Sequence, residues 1–267
     1  MEKKIRAQMG KTAAVGHTLY WFDVLDSTNT RLKQLARDGA ADGTAVIADH
    51  QTAGRGRMER TFQSPAGKGI YLSVLLRPKL PPERLLPLTA LAGVAVCDAV
   101  ERVCGVRPGL KWPNDAVLNG RKLSGILTES GTDVNGSFYV VLGIGVNVSQ
   151  TAADFSPEVS EIAASLSMAL GKGFDRAALI AALLEEIDRL YAALRQEELS
   201  PYLAAYRKDC VNLGRQVQLI LPDGTRETAE ALDVDEAFGL TVRTPDGTEK
   251  TVRAGEVSVR GLYGYIE

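Results

Sequence analysis

The run Leu110-Lys111-Trp112-Pro113-Asn114-Asp115-Ala116-Val117-Leu118-Asn119-Gly120-Arg121-Lys122-Leu123-Ser124-Gly125-Ile126-Leu127 decides the fold class. Short apolar stretches start at Leu110 and Ala116 and resume from Leu123 to Ser130. Asn119-Gly120 joins the last two, and both residues tolerate the positive φ that a two-residue hairpin demands. Asn135-Gly136 repeats the signal ahead of the apolar stretch Phe138 to Val148. Strands joined by tight turns pair antiparallel. Upstream, Leu88, Leu91, Ala92, Ala95, Val96, Ala99 and Val103 recur at helical spacing, and Ala45–Ala48 and Ile70–Leu76 read as buried strands. Further back, the strand Leu19–Leu25 runs into Asp26-Ser27-Thr28-Asn29, polar residues suited to cap a helix carrying Leu32, Leu35 and Ala36. Strand, helix and hairpin together predict an α+β chain, a mixed β-sheet packed against helices.

Downstream, Asp175 is placed to cap an amphipathic helix through Leu179, Leu183, Ile187, Leu190, Tyr191 and Leu194. Ser200-Pro201 starts another that ends before Gly214. Beyond it the pattern changes to short strands punctuated by Pro222-Asp223-Gly224 and Pro245-Asp246-Gly247, which predicts a small β-barrel. The expected organisation is an N-terminal extension over 1–18, a large domain over 19–212 and a small domain over 213–267.

Composition narrows the chemistry. The 33 acidic and 31 basic residues leave a formal charge of -2, which argues against a surface that grips long nucleic acid through counterion release. No apolar run is long enough to span a bilayer, and the Lys-bearing start lacks the apolar core of a signal peptide, so a cytoplasmic protein without membrane contact is expected. Cys97, Cys104 and Cys210 show no metal-binding or disulfide spacing. With only His17 and His50, catalysis has to rely on Arg, Lys and carboxylates.

Four further groupings could carry that chemistry. Gly54-Arg55-Gly56-Arg57 joins a flexible backbone to guanidinium forks able to hold phosphate or carboxylate oxygens, although by itself it reads equally as a solvated basic loop. Lys111-Trp112-Pro113-Asn114-Asp115 ends a strand with a cation, a rigid turn and two short polar side chains, a set suited to phosphate with magnesium. Arg121-Lys122-Leu123-Ser124-Gly125-Ile126-Leu127 follows a tight turn. Gly143 and Gly145, inside a buried strand ending at Asn147, would let a ligand approach the backbone.

Taken in order with Asp26-Ser27-Thr28-Asn29 and Gln51-Thr52-Ala53, these motifs resemble those of the biotin protein ligases, and the tail after Gly214 is similar to that family's small SH3-like C-terminal domain. The resemblance implies a fold related to class II synthetases and lipoate ligases. It also implies ATP-dependent joining of biotin to a lysine of a biotin carboxyl carrier domain through biotinyl-5'-AMP, with Mg²⁺. By position, Ser27, Thr28, Asn29 and Gln51 would meet the ureido ring, and Gly54, Arg55, Gly56 and Arg57 would form a lid over the biotin carboxylate and α-phosphate. Lys111 would touch both anions, so Arg55, Arg57 and Lys111 are the candidate catalytic residues. Phe62, standing where the family usually has Trp, would pack near adenine; Gly54, Asn114, Asp115, Lys122 and Asn147 would lie on the nucleotide side, with Asp115 at the metal. Some members carry a DNA-binding domain ahead of the ligase; Met1–Thr18 shows no three-helix pattern, so DNA binding is not expected. The family includes monomers and dimers, and a homodimer stays open. A lipoate or octanoyl transferase of the same superfamily, or a nonenzymatic biotin sensor, are the competing readings.

Overall fold

The computed structural model describes residues 1–253, 258–261, 265 and 266. The helices are α1 (Glu2–Gln8), α2 (Thr28–Arg37), α3 (Leu88–Cys104), α4 (Pro157–Ser160), α5 (Leu166–Leu170), α6 (Arg176–Gln196) and α7 (Ser200–Asp209). The strands are β1 (Leu19–Leu25), β2 (Ala45–Gln51), β3 (Gly69–Leu76), β4 (Gly109–Lys111), β5 (Asp115–Leu118), β6 (Arg121–Thr132) and β7 (Phe138–Asn147). Five more follow: β8 (Gln216–Ile220), β9 (Arg226–Val234), β10 (Leu240–Arg243), β11 (Glu249–Val252) and β12 (Ser258–Gly261). The first seven strands form one sheet in the order β1-β2-β3-β7-β6-β5-β4, in which only β1 and β2 run parallel. The mixed sheet is therefore present as expected.

Side-chain alternation sorts the core onto two faces of that sheet. Ile47, Leu72, Val74, Leu142, Ile144 and Val146 point toward α3 and α6, which pack on each other. Val46, Leu75, Tyr139 and Val141 point the other way and bury Leu32 and Ala36 of α2. On this second face the apolar cover stops short: past Leu75 and Val141 the row continues as Ser73 opposite Gly143 and Tyr71 opposite Gly145. The cleft described below opens there.

Three local features fill in the sequence reading. Asn119 and Gly120 take φ of 50° and 75° and make the two-residue turn between β5 and β6. The β6–β7 connection, by contrast, is a longer loop whose shape comes from the Asp133 carboxylate, which accepts the N–H groups of Asn135 and Ser137. Backbone bonds close it too, Gly136 N–H to Asp133 O and Asp133 N–H to Ser137 O at 3.0 Å, with Gly136 at φ of 76°, so Asn135-Gly136 does lie in the turn. The stretch from Thr52 to Gly69 also has backbone structure of its own, including a 3-10 turn at Arg57–Glu59.

The segment ahead of β1 is held by α6. Ile5 and Val15 are fully buried, and Asp188 accepts the consecutive N–H groups of Ala13, Ala14 and Val15 at 2.7–2.9 Å. Eighteen residues are too few for their periodicity to announce this, since the partner lies far along the chain. At the other end, β11-β10-β9-β8-β12 form an antiparallel sheet where the small barrel was expected. Among the described residues, no helix is long and apolar enough to cross a membrane. Replacing Asp188 with Ala strands three backbone donors, and urea titration should show a loss of about 2 kcal/mol in unfolding free energy. Unchanged stability would show that the N-terminal segment adds nothing to the fold.

Candidate active site

The cleft begins where α2 meets β2. Ser27 is the N-cap residue, yet its side chain makes no capping bond; instead Gln51 Oε1, at the end of β2, accepts the N–H of Thr28 at 2.8 Å and lies 3.1 Å from its hydroxyl. The helix is capped from the neighbouring strand. Gln51 Nε2 then donates to Ser64 Oγ, and Ser64 Oγ to Phe62 O, both at 2.9 Å. Ser73 Oγ lies 2.5 Å from Asn29 Oδ1 and 2.7 Å from Thr28 Oγ1. Because an amide oxygen only accepts, the single Ser73 proton goes to Asn29, leaving Thr28 to donate to Ser73 or Gln51. Asn29 Nδ2 donates to Glu129 Oε2 at 2.8 Å. Ser27, Thr28, Asn29 and Gln51 are all buried, and the side chains of the last three are held by the hydrogen bonds above.

Gly143 and Gly145 do make room, but for the protein's own side chains. A Cβ on Gly143 would stand 2.2 Å from Asn29 Oδ1, and one on Gly145 would stand 2.6 Å from the Phe62 ring. Phe62 therefore lies against the sheet at Gly145 and Gly125, with its ring centroid 6.3 Å from that of Tyr71 in an edge contact.

The loop from Thr52 folds back on itself: Gly56 N–H donates to Arg60 O at 2.7 Å, Phe62 N–H to Gly54 O at 2.9 Å, and Arg55 bridges to Thr61. Met58 sits exposed at the tip with φ of 53°. Gly54 lies behind the cleft, where a Cβ would meet Phe62 O at 2.3 Å; Gly56, Arg55 and Arg57 line it. The two arginines are divided. Arg57 Nη1 donates to Asn114 Oδ1 at 3.1 Å, while half-exposed Arg55 reaches Glu129 at 3.3 Å. Burial draws the Arg57 pKa down and nearby Asp115 opposes that.

Lys111 is only 5% exposed. Its Nζ donates to Val259 O at 3.0 Å and stands 4.1 Å from the centre of the Tyr265 ring. Burial, opposed by Asp115 and reinforced by Lys122, Arg260 and Arg60, lowers its pKa to about 8. Asp115 accepts Lys122 Nζ at 2.6 Å on one oxygen and the Tyr265 hydroxyl on the other. Burial alone would raise its pKa, but Lys122 and Lys111 outweigh that and hold it below the ordinary value. Each Asp115 oxygen thus already has one protein partner, and among the described residues no three His, Cys, Asp or Glu side chains converge. Asn114 Nδ2 donates to Ile126 O, and Asn147 spends its oxygen on Gln150 and one N–H on Ala164 O.

The structure thus brings every expected side chain except Gly54 into one cleft. Arg60, beside the Gly54–Arg57 loop, lines it too, as do Val259, Arg260 and Tyr265, while Ser73 and Glu129 stand behind the lining as hydrogen-bond partners of Asn29; apart from Arg60, the sequence motifs marked none of these. Tyr265 lies 150 positions from Asp115, so no local pattern could pair them.

Neutral hydrogen-bonding groups at one end, and buried Lys111 with Arg57 at the other, make a cleft of the shape and chemistry that suit a small ligand with a polar head and an anionic tail. Residues 21–147 match the biotin/lipoate A/B protein ligase family, and residues 213–260 match the biotin protein ligase C-terminal domain, which is SH3-like. The bifunctional ligase/repressor BirA of Bacillus subtilis is 37% identical over 253 residues, covering 95% of this chain and 77% of that protein. The biotin--[acetyl-CoA-carboxylase] ligase of Mycobacterium tuberculosis is 36% identical, covering 86% of this chain and 85% of that one. The structure of the biotin protein ligase from Aquifex aeolicus in complex with biotin and ATP superposes with a TM-score of 0.80 at 31% identity, covering 92% and 99% of the two chains. The chain belongs to the biotin protein ligases of the biotin/lipoate A/B protein ligase family.

Gly143→Ala should displace the Asn29 amide, lowering stability by about 1–3 kcal/mol in thermal or urea unfolding. A variant as stable as the parent would show that the Asn29 contact is looser than its distances indicate.

Proposed function

We propose that this chain condenses biotin with ATP to biotinyl-5'-AMP and transfers the biotinyl group to a lysine of a biotin carboxyl carrier domain. The observation that carries the reading is the pairing, in one cleft, of a hydrogen-bonded neutral end around Thr28, Asn29 and Gln51 with a buried cation at Lys111. A ureido ring leaves water without penalty only if its N–H and C=O groups find partners, which Ser27, Thr28, Asn29 and Gln51 supply.

In the first step a biotin carboxylate oxygen attacks the α-phosphorus of ATP and pyrophosphate leaves. Two anions must meet, and fixed positive charge in a closed site offsets their repulsion. Lys111 and Arg57 take this role, since Asn114, the Val259 carbonyl and the Tyr265 ring hold them at the same end of the cleft. Arg55, tied to Glu129, closes the lid over the neutral end. Gly54 and Gly56 give the lid its turn, Phe62 offers an aromatic face toward the nucleotide, and Lys122, Asn114, Asp115 and Asn147 line the nucleotide side. Magnesium, when bound, neutralises charge on the nucleotide phosphates. In the second step the carrier ε-amine attacks the acyl carbon, AMP leaves and the amine gives up a proton. No protein nucleophile is required.

Incubation with biotin, Mg-ATP and an apo carrier domain should add one biotinyl group to the carrier by intact mass. Biotin should support ATP–pyrophosphate exchange and lipoate should not; the reverse would overturn the reading. Lys111→Ala or Arg57→Ala should slow adenylate formation by about 10²-fold or more, and unchanged rates would remove those residues from the mechanism. Because the Lys111 ammonium is charged below about 8 and neutral above, kcat/KM for biotin should fall as pH rises through that value. A profile flat to well above it would show that the charge on Lys111 is not used.

A further inference from the structure

Glu129 has no part in the reaction, yet it is where the polar end of the cleft and the lid meet. It stands on β6 opposite Val141, on the same face as Leu127 and Gly125, at the end of the cleft floor. Its side chain is mostly buried and three donors from two elements converge on it. Lys33 Nζ reaches Oε1 at 2.7 Å, Asn29 Nδ2 reaches Oε2 at 2.8 Å, and Arg55 Nη2 reaches Oε1 at 3.3 Å. Burial works against its charge, but the hydrogen bonds from Lys33 and Asn29 outweigh burial and hold the pKa below the ordinary value.

Two consequences follow from that arrangement. A carboxylate only accepts, so Glu129 fixes which end of the Asn29 amide faces it, and Ser73 fixes the other. The second Asn29 N–H is then left for the cleft. Arg55 makes the longest of the three contacts and is half exposed, so it is the partner most readily exchanged. Lys33 stays to balance the carboxylate when Arg55 moves.

We propose that Glu129 is a positioning residue that couples the polar end of the cleft to the lid, aligning Asn29 for the ligand while docking Arg55 above it. The proposal rests on the function given above. A ligand that engages Asn29 settles the carboxylate on which the lid arginine docks, and a docked lid in turn keeps Asn29 aligned.

The test is a double-mutant cycle on the full chain with Glu129→Gln, Arg55→Ala and both together. The readouts are biotin affinity by calorimetry and the release rate of a non-hydrolysable biotinyl-5'-AMP analogue. Losing a hydrogen bond to a charged group, Glu129→Gln should weaken biotin and speed analogue release by about tenfold or more. It should raise KM for biotin while kcat at saturating biotin stays within about threefold of the parent. Combining it with Arg55→Ala should add no more than about twofold to the worse single variant, as for residues acting through one contact. Effects that multiply, or a Glu129→Gln chain indistinguishable from the parent, overturn the coupling. If the Gln variant does not fold, Glu129→Asp, which keeps the charge and shortens the reach, is held to the same two readouts. A parent chain that biotinylates its carrier beside an unaltered Glu129→Gln chain overturns this proposal alone; an inactive parent overturns the functional reading first.

Discussion

Burying the ammonium of Lys111 is the constraint around which the molecule is organised. A cation taken out of water is unfavourable unless the protein supplies what water did. Here the substitutes come from the far end of the chain, as the Val259 carbonyl and the Tyr265 ring, and from Asp115 next door. The neighbouring Trp112 follows the same logic: its backbone N–H donates to Asn212 and its indole N–H to Phe238 O. One short strand end is thereby fastened to the small C-terminal sheet by two side chains in succession. The small sheet is a wall of the site, and its removal would leave Lys111 without its acceptor.

The opposite end of the cleft is built on the same economy with neutral groups. Gln51 caps α2, Ser73 Oγ stands within hydrogen-bond reach of Thr28, and Asn29 is held between Ser73 and Glu129. A ligand that enters meets groups whose orientation is already fixed, so little ordering is left to be done on binding.

Much of this was legible in the sequence because it is local. Short apolar runs marked the central strands, Asn119-Gly120 marked a hairpin, and Asp175 announced α6, whose first N–H groups it caps. The site motifs each sit on one strand end or one turn, so they can be read one at a time. What escaped was set by distance along the chain. Glu129 looks like any polar residue on a half-buried strand until α2 and the lid fold over it. Tyr265 and Val259 belong to a different sheet. Asp133 braces the Asn135-Gly136 turn by side-chain contacts that the turn signal does not announce. The strand glycines were read as room for a ligand, but sequence alone does not say that Asn29 and Phe62 are the side chains that stand over them.

That last point bears on how such a site can change over generations. Gly143 with Asn29, and Gly145 with Phe62, are each a hollow and the side chain that fills it. A larger residue in either hollow is tolerated only after its filler has shrunk or withdrawn, and each filler also shapes the cleft. Drift at the floor is therefore tied, pair by pair, to drift in what the cleft holds, so the positions vary together or stay put.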